Sequence, residues 1–145
     1  MSPLEDGETL AEDDVMAFSA IVPSVGRPGD LERCLQGIHS ASTPAAEVIV
    51  VSQAWDIETQ EVARRYRCQL VRVTQSGLAH AMYSGAAAAR SPIIFFTDDD
   101  AVPHRDCFDT VPRLFKDASV GAVAGRDVVH PSPDDSSRFE QAKIA

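Results

Sequence analysis

Four apolar residues, Ile93, Ile94, Phe95 and Phe96, run into three consecutive carboxylates, Asp98, Asp99 and Asp100, with only Thr97 between them. An unbroken apolar run of this length reads as a strand, and one buried on both faces of its sheet. Three adjacent Asp side chains at its carboxyl end repel one another, and a metal cation or a hydroxyl-rich ligand relieves that repulsion. In open α/β sheets, ligands settle outside the carboxyl ends of the strands. The stretch therefore points to a cation held together with a phosphorylated ligand. For the triplet alone a solvated acidic turn is the simpler reading; the strand before it and the elements around it favour the ligand.

Those elements alternate. Ala17 to Val22 reads as a first strand ended by Pro23, which cannot donate to a ladder. Asp30 is placed to cap a helix whose Leu31, Cys34, Leu35 and Ile38 fall on one face. Glu47 to Val51 is a second buried strand. Asp56 caps a helix through about Tyr66, with Ile57, Val62 and Tyr66 inward, and Gln69 to Val73 is a third strand. Gln75, Ser76 and Gly77 turn into an Ala-rich helix, Leu78 to Arg90, where Gly85 allows a close approach to the sheet. After the Asp-bearing strand, Asp106 is placed to cap a helix with Phe108, Val111, Leu114 and Phe115 inward, kinked or delayed by Pro112. Val120 to Val129 is expected as a further strand, and Arg138 to Ala145 as the start of a helix. This order predicts a mostly parallel sheet covered by helices on both faces.

Composition narrows the partners. At 145 residues the chain suits one domain. Its formal net charge of -9 argues against a nucleic-acid backbone as partner, which needs clustered Lys and Arg. A nucleotide remains compatible, because a divalent cation supplies the phosphate's counter-charge. Cys34, Cys68 and Cys107 form no CxxC pair, so packed, reduced thiols are expected. Neither a signal-peptide pattern nor an apolar run near about 18 residues is present, and a cytoplasmic location is the default expectation. Residues 1–15 read as an acidic disordered tail, 16–130 as the folded domain, and 131–145 as a Pro/Ser-rich segment.

Three loops should converge at the carboxyl edge: Pro23 to Arg27, Ser52 to Ala54, and Asp98 to Asp100. None is a GxGxxG or GxxxxGK[ST] loop. A response-regulator receiver shares the alternation, but needs an acidic pair where this first strand ends in PSVGR. The segments IVPSVGRPGDLERCL, EVIVV, SGLAHAMYSGAAAARSPIIFFTDDDAVP and VGAVAGR, in that order and spacing, resemble family 2 glycosyltransferases, from about Phe18 to Val129.

That resemblance implies a GT-A fold, a Rossmann-like nucleotide-diphospho-sugar transferase architecture, cut short at the carboxyl end. It also implies roles. The acidic DxD motif is matched by Asp98 and Asp100: Asp98 would accept from the ribose and share the metal, and Asp100 would bind Mn²⁺ or Mg²⁺. Asp99 would stand behind them or face solvent, and counts among the nucleotide-sugar-binding residues. Pro23, Ser24 and Arg27 would hold the base, Gly77 lies at the opposite turn, and His80 would approach the pyrophosphate. Arg27 reads equally as a surface residue paired with an acid, and His80 more readily as a satisfied or solvent-facing histidine. Ser52 and Gln53 stand where the family commonly has an Asp; both hydrogen-bond, but neither carries charge. Met82 and Tyr83 replace a frequent Arg-Asn.

The expected activity is transfer of a sugar, with inversion, from a nucleoside-diphosphate sugar to an acceptor hydroxyl, a uridine-diphosphate sugar being the first choice. The acceptor is unknown, and the catalytic base is expected beyond Ala145. The rival reading is a catalytically incomplete binding module, subunit or fragment. A structural remnant without ligand is a third. An exposed apolar patch is expected, with self-association or a partner chain to cover it.

Overall fold

The computed structural model describes residues 16–126, 128 and 129. The expected acidic tail, the Pro/Ser-rich segment and the terminal helix start lie outside these residues. Within them, four strands form one all-parallel sheet in the order β3-β2-β1-β4. The strands are β1 (Phe18–Ser24), β2 (Glu47–Gln53), β3 (Gln69–Val73) and β4 (Ile93–Phe96). Between and after them run α1 (Pro28–His39), α2 (Ile57–Arg65), α3 (Leu78–Ala88) and α4 (Cys107–Leu114).

Side chains two apart on a strand share a face, and β1 shows the result. Phe18, Ala20 and Val22 pack with Leu31, Cys34, Leu35 and Ile38 of α1, Val62 and Ala63 of α2, and Phe108 of α4. Ile21 looks the other way, with Ile49, Val51 and Val73, onto Ala81 of α3. Helices thus cover both faces, as the alternation predicts. Phe108 holds α4 in place by lying 4.7 Å from the Phe18 ring and 4.8 Å, edge-on, from Phe95.

Pro23 does not end β1. It pairs with Val51 of β2, and the strand continues to Ser24. Ile21 accepts from Thr97 on the β4 side, and residues two apart aim their backbone groups alike. The N–H that Pro23 lacks therefore faces the side where β4 has already ended, so no ladder bond is lost. Asp30 does not cap α1; the helix starts at Pro28 with Arg27 at the cap position, proline being well suited to a first turn. Asp106 occupies the cap position of α4 without a capping hydrogen bond, and that helix runs through the buried Pro112. Ile57, at the start of α2, and Leu114, at the end of α4, are exposed rather than inward. Both sit on the terminal turns of their helices.

Two larger corrections concern the sheet. β4 is an edge strand, paired with β1 alone among the described residues, and Ile94 and Phe96 are 38% and 40% exposed. They lie on the face that α3 covers across β1, β2 and β3, but beyond its reach. The expected strand from Val120 to Val129 is not formed; the described residues there contain no strand, and Val128 and Val129 are exposed. Strand propensity is expressed only where a partner edge and a covered face are available.

Candidate functional site

At the carboxyl edge of the sheet, β1 gives way to a sharp turn. Gly26 has φ +66°, the left-handed region that glycine enters without strain. Its N–H donates to Asp56 Oδ2 at 2.7 Å, while Asp56 Oδ1 accepts from the Thr59 N–H at 3.3 Å and so caps α2 as the sequence predicts. Burial pushes the Asp56 carboxyl up, but the hydrogen bonds from Gly26 and Thr59 outweigh it and hold the group below its ordinary value. One carboxylate thereby ties the loop after β1 to the loop after β2.

The acidic triplet is tied in a similar way. Thr97 donates its N–H to Ile21 O at 3.2 Å, extending the β4 register, and the chain then turns, with Ala101 N–H donating to Asp98 O at 3.2 Å. Cys34 of α1 donates its thiol to the same carbonyl at 3.5 Å. Burial first, then the charges of Asp99, Asp100 and Asp98, push that thiol up to about 12, so it stays protonated and remains a donor. Asp99 folds back over the end of β1 and is fully buried. Ser24 Oγ donates to its Oδ2 at 2.7 Å, and Arg27 Nη2 lies 2.6 Å from its Oδ1, an ion pair lacking the alignment of a hydrogen bond. Arg27 Nη1 also reaches Asp100 Oδ2 at 3.3 Å. Burial raises the Asp99 carboxyl; Ser24 and Arg27 pull it back and Asp100 adds to the rise, leaving it above its ordinary value.

A cavity of about 300 Å³ opens beside this cluster. Pro23, Ser24, Val25 and Arg27 form one wall, Val51, Ser52 and Gln53 the floor with Val73, and Ser76, Gly77, Leu78 and Ala81 the far side, with Trp55 at the rim. Ser52 and Gln53 are buried. Gln53 donates its side-chain N–H to Gln75 O at 3.1 Å, and its backbone carbonyl accepts from Gln60 at 3.0 Å.

Of the residues singled out from the sequence, Pro23, Ser24, Arg27, Ser52, Gln53 and Gly77 line this cavity. Asp98, Asp99 and Asp100 do not line it; Asp99 and Asp100 adjoin it through Ser24 and Arg27. Of the two alternatives for Asp99, facing solvent is excluded: the middle carboxylate is buried, and its neighbours are exposed. His80 is not part of the cavity wall; it is half-buried on α3, its carbonyl accepting from Ser84. The three cysteines are free thiols, as expected. Trp55, Val25 and Leu78 were not anticipated. The one available signal was the chain's only tryptophan, set in a polar loop directly after a buried strand.

Among the described residues, no group of three His, Cys, Asp or Glu converges on a common point as a self-sufficient metal cage would require. A cation bound jointly with a diphosphate needs less, one or two carboxylates with phosphate oxygens and water. Asp98 and Asp100 present exposed carboxylates of the kind such a cation takes, whereas Asp99 Oδ1 is buried against Arg27.

The profile of Glycosyl transferase family 2 matches residues 19–143. The chain belongs to this family. Comparison with the curated proteins gave no match. Among solved structures, the mannosyltransferase PcManGT from Pyrobaculum calidifontis, in complex with GDP-Man and Mn²⁺, is 28% identical, with a TM-score of 0.61. The alignment covers 74% of this chain and 34% of that one. TarS of S. aureus is 18% identical over 79% of this chain and 39% of its own, with a TM-score of 0.65. Glucosyl-3-phosphoglycerate synthase of Mycobacterium tuberculosis, in complex with Mn²⁺, UDP and glucosyl-3-phosphoglycerate, is 20% identical over 62% of this chain and 36% of its own, with a TM-score of 0.54. The parallel α/β architecture expected of a GT-A protein is therefore present, and the chain spans little more than a third of the length of these glycosyltransferases. No described helix is long and apolar enough to cross a membrane.

Proposed function

We propose that residues 16–130 form a nucleotide-sugar-binding domain, and that the protein transfers a sugar from a nucleoside-diphosphate sugar to an acceptor hydroxyl. The observation that carries this reading is the attachment of the buried Asp99 to Ser24 and Arg27, both of which also line the cavity. It sets an acidic turn at the mouth of a cleft in a family 2 glycosyltransferase fold. Ser52, Gln53 and the loop from Pro23 to Arg27 hold the nucleoside in this reading. Asp98 and Asp100 hold Mn²⁺ or Mg²⁺ against the diphosphate, and Asp98 also meets the ribose. A hard cation there stabilises negative charge on the leaving diphosphate. Arg27 is paired with Asp99 and Asp100, and releasing Asp100 to the cation would turn part of its guanidinium toward phosphate oxygens, for which its donor fork is suited.

The structures of PcManGT and of the mycobacterial synthase contain a guanosine or uridine nucleotide with Mn²⁺, and a uridine-diphosphate sugar is our first choice of donor. A second reading is favoured by the commitments of the carboxylates around the cleft. Asp56 is held by Gly26 and Thr59, Asp99 by Ser24 and Arg27, and Asp100 by Arg27. With these acids engaged, the described domain binds the donor and the base for the acceptor comes from elsewhere.

A thermal-shift screen of nucleoside diphosphates and their sugars, with and without Mn²⁺, tests the donor and the metal together, since ligand raises the melting temperature by mass action. UDP is expected to stabilise the protein only with the metal present, and Asp100→Ala to abolish that dependence. Calorimetry showing equal UDP affinity with and without metal would count against the assignment. Sugar transfer by the chain alone would rule out the binding-only reading.

A further inference from the structure

Trp55 is 69% exposed at the rim of the cleft, and Val25 and Leu78, 47% and 59% exposed, flank the same opening from the turn after β1 and the start of α3. Single exposed apolar side chains are ordinary, but three gathered around one opening mark a surface that a ligand or partner covers. The floor they surround is mixed, Val51 and Val73 lying beside Ser52 and Gln53. Gln53 commits a side-chain N–H to Gln75, which leaves Oε1 as its open acceptor, while the Ser52 hydroxyl donates to the Gln53 backbone carbonyl. An apolar rim above a floor with few polar atoms suits a flat heteroaromatic ring, with its faces against carbon and its edge against the amide oxygen. Of the three rim residues, only the indole offers a planar π face of matching size.

Trp55 is also held at its base. It directly precedes Asp56, which is anchored to Gly26 and to the first turn of α2, and Ala54 donates its N–H to Val73 O at 2.8 Å. The backbone on both sides of the indole is thus fixed while the ring remains in solvent. A pre-positioned platform loses little backbone freedom when a ligand arrives.

We propose that Trp55 stacks on the base of the bound nucleotide and sets the cleft's preference for a nucleotide over a base-free phosphate. This inference rests on the nucleotide-sugar reading above. It assigns recognition of the base to an aromatic face, so that a base-free phosphate gains nothing from Trp55.

The chain has a single tryptophan, so its emission reports this site alone. UDP with Mg²⁺, titrated into the full chain, is expected to quench that emission with the same midpoint that calorimetry gives. Trp55→Ala should weaken UDP binding by about tenfold or more, the range for loss of one base–aromatic stack. Trp55→Phe should stay close to the wild-type affinity, and inorganic pyrophosphate with Mg²⁺ should bind all three proteins equally. If calorimetry shows UDP binding to the wild type and to Trp55→Ala with equal affinity, the stacking role is overturned and the nucleotide reading stands. If no nucleoside diphosphate binds the wild type at all, both fall.

Discussion

Asp56 shows how much of the site rests on one side chain. Its two oxygens accept from Gly26 and from Thr59, so replacing it removes a helix cap and unties the loop after β1 together. Asp56→Ala is expected to cost about 2 kcal/mol, a cap plus a charge-assisted hydrogen bond, read as a lower urea midpoint at neutral pH. The pH dependence has a definite sign. The folded-state value lies below the ordinary 3.8, so the carboxylate's contribution is complete above 3.8 and is lost as the pH falls through the lower value. The gap between wild type and Asp56→Ala should therefore narrow below that pH, and a gap that stays constant would show that the charge contributes nothing. The cap itself was legible in the sequence, because an Asp before a helical pattern acts locally. Its second bond, to Gly26, joins residues 30 apart and had no sequence signal. The same holds for Asp99, whose burial depends on Ser24 and Arg27 from a distant loop.

At the scale of elements, α3 and the sheet meet at a glycine. A Cβ on Gly85 would lie 2.5 Å from Ile21 Cγ2 and 3.0 Å from Val51 Cγ2, both on strands already held by ladders. Alanine in place of glycine favours a helix by about 1 kcal/mol, whereas overpacking a closed core costs about 1–3 kcal/mol. The clash involves branched side chains on a paired sheet, so the cost should prevail. Gly85→Ala is expected to lower the urea midpoint; a stabilised variant would show that the helix has room to move away. The same device recurs at Gly37 of α1, where an added Cβ would lie 2.8 Å from Val102 Cγ1 and 3.2 Å from Pro103 Cδ. That contact presses the segment after Asp100 onto α1. Gly85 was legible because it lies in an Ala-rich helix between strands. Gly37 was not, since its neighbour arrives from more than 60 residues away.

For the whole molecule, the open question is the flank of β4. Its outer edge is unpaired among the described residues, and Ile94 and Phe96 stand exposed on the side that α3 leaves bare. An unpaired strand edge beside exposed apolar side chains invites association. We expect concentration-dependent self-association in sedimentation experiments, weakened when Ile94 and Phe96 are both replaced by Lys. A strictly monomeric chain that binds no hydrophobic dye would argue against it. Here the sequence misled for a physical reason. Ile93 to Phe96 is apolar at every position, which reads as burial on both faces, but a run of side chains carries no information about whether a neighbour is there to bury them.

The chain's own residues determined the kinds and order of its strands and helices, because apolar periodicity, caps and turn-forming residues act over a few positions. They also determined that carboxylates and hydroxyls would reach one edge of the sheet, because a parallel α/β alternation sends every such loop there. Only the tertiary structure decided which of three equivalent aspartates turns inward, that the tryptophan stands at the rim of the cleft, and which strand is left beside exposed apolar side chains. Each of those depends on what lies across the gap, and contact between segments far apart in sequence is settled when the layers close.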